Sequence, residues 1–146
     1  MDFEYDDGGR KDAGYKGEAL DCATRAIAIG TGRPYKEVYD ELAERMKAKA
    51  AKARSERARA KTSPRNKVPT DVLREYLAEQ GWVWTPTMKI GSGTTVHLRD
   101  GEVPKDCIAS VSKHVTAVVD GVVRDTHDPR RGGTRAVYGY WVKEES

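Results

Sequence analysis

The texture of the chain changes at Gly81, and that change restricts the fold more than any other feature. Before it, apolar residues recur at spacings of three and four. After it come short β-branched or aromatic runs, "GWVWTPT", "TTVHL", "DCIASV", "HVTAVV", "VVRD" and "AVYGYWV", separated by Gly, Pro and Asp. The first part predicts three helices. "CATRAIAIG" carries an apolar side of Ala23, Ala26, Ile27 and Ile29, with Gly30 and Gly32 as its stop. "PYKEVYDELAERM" follows Pro34, a residue suited to a first helical turn, and places Tyr35, Val38, Tyr39, Leu42 and Met46 on one stripe. A third helix follows Pro69, capped by Thr70 or Asp71, with Val72, Leu73, Tyr76 and Leu77 inward and Gly81 at its end. Helices first and strands afterward predict an α+β fold, N-terminal helices packed on a C-terminal antiparallel sheet.

The 146 residues suffice for one domain with a modest core. Residues 1–16, acidic and Gly-rich without an apolar period, read as a flexible lead to a domain over 17–146. No apolar run of membrane-spanning length or signal-peptide type occurs, so the expectation is a cytoplasmic protein with no membrane partner. The two cysteines, Cys22 and Cys107, are then expected as free thiols, Cys107 facing the core on a strand. Neither Cys nor His recurs at metal-ligand spacing, so no metal and no cofactor are expected.

The net charge of +3 conceals a strong asymmetry. From Arg45 to Lys67 the chain holds ten Lys or Arg and one acid, Glu56, in an Ala-rich context that favours helix and offers little to bury. A basic helical arm over about 45–67 is expected to project into solvent. Its Lys47, Lys49, Lys52, Arg54, Arg57, Arg59 and Lys61 suit contact with nucleic acid or an acidic protein.

Cys22 opens the first helix, directly after Asp21, which is placed to cap it. A cysteine on an apolar helix is ordinarily a small core residue. At a helix N-terminus beside an imidazolium, however, its pKa falls and the thiolate becomes a nucleophile. Among the histidines, His97 carries no assigned role. His114 opens "HVTAVVDGVVRD", in which Asp120-Gly121 is a favoured two-residue hairpin turn. That turn pairs Val119 with Val122, and by period two puts His114, Thr116, Asp125 and His127 on one face. Asp125 thereby becomes the acid that orients His114. Asp128 falls on the opposite face and is the alternative, while His127 shares the face at the strand's end.

A cysteine at a helix start, a histidine at a strand start and an Asp on the next strand, "DCATRA" and "KHVTAVVDGVVRDTHDP", occur in the order found in papain-like cysteine peptidases. The chain resembles the small bacterial and phage members of that superfamily. The motifs cover about a fifth of the chain, and the order of elements extends the likeness over most of it. The resemblance implies Cys22 as nucleophile, His114 as general base and acid, and Asp125 as orienter. The implied reaction is thiol-dependent hydrolysis of a peptide or isopeptide bond in a peptide or protein substrate. The family carries a glutamine oxyanion donor about six residues before the cysteine; here that position is Lys16, which with the Cys22 backbone N–H is the candidate oxyanion donor. The rival reading is a catalytically inactive papain-like protein that binds through its basic arm.

Overall fold

Among the described residues three α-helices form where the apolar spacing predicts them: α1 (Cys22–Thr31), α2 (Tyr35–Ala51) and α3 (Thr70–Glu79). The computed structural model of the protein describes residues 1–17, 19–51, 63–65, 67–88 and 96–144. Tyr35, Val38, Leu42 and Met46 are buried on α2, and Val72, Leu73, Tyr76 and Leu77 on α3. Gly32, at φ 74°, ends α1 in the left-handed conformation and returns its N–H to the Ala28 carbonyl. Gly30, expected as part of the stop, lies inside the helix. A Cβ there would fall 2.8 Å from Ile108 Cγ1, so Gly30 lets α1 approach the sheet. The start of α3 differs from expectation too. Pro69 occupies its N-cap position and no side chain caps it, while Asp71 pairs with Lys49 of α2.

The strands are β1 (Asp2–Tyr5), β2 (Trp82–Pro86), β3 (Val96–His97), β4 (Cys107–Val111), β5 (His114–Val119), β6 (Val122–Asp125) and β7 (Ala136–Lys143). They form one seven-stranded sheet in the order β1-β6-β5-β4-β7-β2, with β3 also pairing to β7. Among the described residues every pairing is antiparallel except that of β1 with β6. The fold is therefore α+β. Residues 2–5 of the acidic lead, expected to be flexible, add a parallel edge strand on which Phe3 packs against buried valines of the sheet.

The sheet divides two cores by side-chain parity. Ile108 pairs with Ala117 on one side and Trp141 on the other, and this row is buried with the three helices. Cys107, Ala109, Val111, Val118, Val123 and Val137 belong to a second cluster, with Leu98 and Val103. Cys107 is 1% exposed, and burial, with Asp106 beside it, pushes its thiol pKa up to about 12. It is inert packing.

Of the expected basic arm, Lys52, Arg54, Arg57, Arg59 and Lys61 lie outside the described residues. Over 45–51 the chain does not project. Met46 and Ala50 are buried, and Arg45 and Lys49 pair with Glu79 and Asp71 of α3, leaving Lys47 exposed. No helix among the described residues is long and apolar enough to cross a membrane.

Gly139 on β7 has no room for a side chain, because the Trp84 ring lies across it and a Cβ would also fall 2.8 Å from the Thr85 carbonyl oxygen. Gly139→Ala is expected to displace that ring and lower stability by about 1–3 kcal/mol in urea unfolding. An unchanged midpoint would contradict this packing.

Candidate active site

The hairpin of β5 and β6 builds the first half of the site. Asp120 and Gly121 take φ of 50° and 76°, the two positive values a tight turn of this hand requires. Val119 then pairs with Val122, Val118 with Val123 and Ala117 with Arg124. Beyond that register, His114 Nε2 lies 2.6 Å from Asp125 Oδ2, and Thr116 Oγ1 donates to the same oxygen at 2.7 Å. The other oxygen accepts the Thr126 backbone N–H at 2.7 Å. Asp125 is only 4% exposed. Burial raises its pKa, but the bonds from His114 and Thr116 outweigh that and hold the carboxyl below its usual range.

The second half is the start of α1, which packs across β5. The helix begins at Cys22, so the N–H groups of Cys22, Ala23 and Thr24 have no partner within it. Cys22 is half-buried and lines one cleft with His114 and Val115, close enough for the His114 ring and the Val115 backbone to act on its thiol. Nε2 of His114 is engaged by Asp125, which leaves Nδ1 for the sulfur. Burial raises the Cys22 pKa, but His114, the Val115 N–H and the Arg25 charge lower it more, so the net shift is downward. For His114 the balance runs the other way. Burial lowers its pKa, the bonds and charges of Asp125 and Cys22 raise it, and it is pushed up to about 9. The two shifts have the opposite signs expected of a thiolate beside an imidazolium.

Asp21 holds the helix start by a route other than capping. It sits at the N-cap position with φ −106° and ψ 24°, away from the extended backbone of a capping residue, and makes no side-chain cap bond. Its carboxylate, 1% exposed, instead takes Arg25 one turn on, Arg10 Nε at 3.1 Å and the Tyr35 hydroxyl at 2.6 Å. Arg10 also donates to the carbonyl oxygen of Gly17 at 2.6 Å, tying the acidic lead to the helix. Arg25 stands 3.9 Å from Asp125, so one guanidinium bridges both buried carboxylates. Neither Arg10 nor Tyr35 carries a local sequence signal for this role, because each reaches Asp21 only through the fold.

The remaining candidates are placed as follows. Asp128 is held by Arg130, whose Nε lies at 2.9 Å, and does not reach His114. The His127 ring centroid lies 4.7 Å from that of His114, with its side chain 61% exposed. His97 pairs with Glu102 at 3.1 Å. Lys16 lines a separate cavity with Asp21 and Arg25, and its carbonyl oxygen accepts from Arg10 and Arg65. Cys22 and His114 share a different cleft of about 310 Å³, which Lys16 does not line. His114, Asp125 and His127 offer three ligand atoms within 4.8 Å of one another and could hold a metal ion. A cation there would have to part Nε2 from Oδ2, now hydrogen-bonded at 2.6 Å.

The raised pKa of His114 sets a pH window. Its folded value of about 9 exceeds the ordinary 6.5, so pairing contributes stability that is complete below about pH 6.5 and lost as pH rises through about 9. Asp125→Asn removes the principal partner, and burial then dominates. In an NMR titration the His114 midpoint should fall from near 9 toward or below 6.5; an unmoved midpoint would refute the pairing. No protein-family model matches the chain, and no curated protein or solved structure matches it, so the site stands on its own geometry.

Proposed function

We propose that the protein is a thiol-dependent hydrolase of papain-like architecture, cleaving a peptide or isopeptide bond by Cys-His-Asp acyl transfer. The observation that carries this reading is the chain of contacts from Asp125 through His114 to Cys22, with the thiol pKa drawn down and the imidazole pKa drawn up. A structural cysteine needs neither shift, as Cys107 illustrates.

In this reading the Cys22 thiolate attacks the carbonyl carbon, and the carbonyl π electrons move onto oxygen. The N–H of Cys22 at the head of α1 is the donor the oxyanion meets, aided by the positive end of the helix. His114 delivers its proton to the leaving amine as the C–N bond breaks, leaving a thioester on Cys22. Neutral His114 then takes a proton from water, whose oxygen attacks the thioester. Collapse releases the acid, the sulfur leaves as thiolate and His114 keeps the proton. Asp125 fixes the ring and stabilises the imidazolium; Thr116 and the Thr126 N–H fix Asp125.

A test free of substrate specificity uses p-nitrophenyl acetate. Acetylation should appear on Cys22 by intact-mass and peptide mapping, with a burst of p-nitrophenol and then slower turnover. Cys22→Ser should lose the burst, and Asp125→Asn should slow it by about tenfold or more. Acetyl groups on lysines alone, with Cys22 unmodified, would refute the assignment.

A further inference from the structure

The described residues that line the cleft beside Cys22 carry charge of one sign. Leu73, Trp84, Tyr138 and Trp141 give it apolar walls, and Lys67, Arg74 and Lys113 stand on its rim, with no carboxylate among the described residues that line it. All three cations are exposed, and among the described residues none has an ion-pair partner. The Arg74 guanidinium lies 5.0 Å from the centroid of the Trp84 ring, which holds its charge against the apolar wall.

Two of these cations are kept at a conformational cost. Lys67 has φ 75° and Lys113 φ 57°, a region that costs a side-chain-bearing residue about 1–2 kcal/mol. Val111 pairs directly with His114, so Lys113 is the second residue of a two-residue turn, where a positive φ favours glycine. Only four non-glycine residues among those described have positive φ, and two of them stand on this one rim. A lysine in place of the unstrained residue supplies a charge that glycine would not.

We infer that the cleft selects an acidic peptide segment, seating an apolar or aromatic side chain between Leu73, Trp84, Tyr138 and Trp141 while Lys67, Arg74 and Lys113 meet flanking carboxylates. This names the substrate class for the proposed hydrolase and rests on that reading for its catalytic meaning. As a binding site it stands on the charge and shape of the cleft. Neighbouring basic peptides are disfavoured by the same three cations. Opposite charges at an exposed rim act at short range and are screened by salt.

The test is peptide binding to full-length Cys22→Ser protein, which removes the thiol. Tryptophan fluorescence reads the cleft through Trp84 and Trp141. The probes are acetyl-Glu-Glu-Phe-Glu-Glu-amide, its glutamine and lysine counterparts, and the acidic peptide with Ala in place of Phe. Affinity should fall in the order acidic, neutral, basic, and the gap should narrow with added salt. The Ala peptide should bind more weakly than the Phe peptide. Lys67→Gly and Lys113→Gly remove a charge and a strained backbone together, so loss of folding does not confound them. Each should weaken the acidic peptide about two- to fivefold. Equal affinities, a reversed order, no detectable binding, or variants that bind like the parent would each overturn the inference. The ordered affinities without p-nitrophenyl acetate turnover would leave the cleft standing and remove the hydrolase. Turnover without the order would do the reverse.

Discussion

The site depends on a carboxylate, Asp125, that is withdrawn almost wholly from water. A buried charge without partners is expensive enough that the group would otherwise take up a proton. Thr116, the Thr126 N–H and His114 make ionisation the cheaper state, and only His114 among these brings a formal charge. Keeping Asp125 charged therefore favours keeping His114 protonated, and a protonated His114 in turn favours the thiolate form of Cys22. The three titrations are links of one chain, anchored at the buried end.

Placement of the sulfur is a separate matter, settled by how α1 lies on β5. Gly30 allows the helix to come down on Ile108, and the apolar side of α1 then packs with Ala117 beneath it. The start of the helix is held by Asp21 and its three donors from Arg10, Arg25 and Tyr35. Arg25 extends that network to Asp125. The acidic lead thus does structural work at both ends: β1 borders β6, which carries Asp125, and Arg10 supports the residue before Cys22.

Much of this was legible in the sequence because it is local. The switch of period at Gly81, the stripe of α2, and the Asp120-Gly121 turn all act over a few residues, and the turn alone determines that His114 and Asp125 meet rather than His114 and Asp128. What was not legible depends on distant partners. Asp21 occupies a capping position, yet Arg10 and Tyr35, eleven and fourteen residues away, take its carboxylate. β1 alternates polar and aromatic residues, Asp2-Phe3-Glu4-Tyr5, but four residues beside a Gly-rich acidic run are too short a period to announce an edge strand. Gly30 looks like a helix stop until Ile108 of β4 is seen against it. The cleft draws its walls from α3, β2, β4 and β7, which no short motif could announce.

The most direct test of the thiolate–imidazolium pair is the pH dependence of iodoacetamide alkylation at Cys22, in a Cys107→Ser background, with and without His114→Ala. The account predicts alkylation that persists below about pH 7 and shifts toward an ordinary thiol midpoint near 8.5 once His114 is gone. A Cys22 that is inert, or that titrates as an ordinary thiol in both proteins, would contradict it.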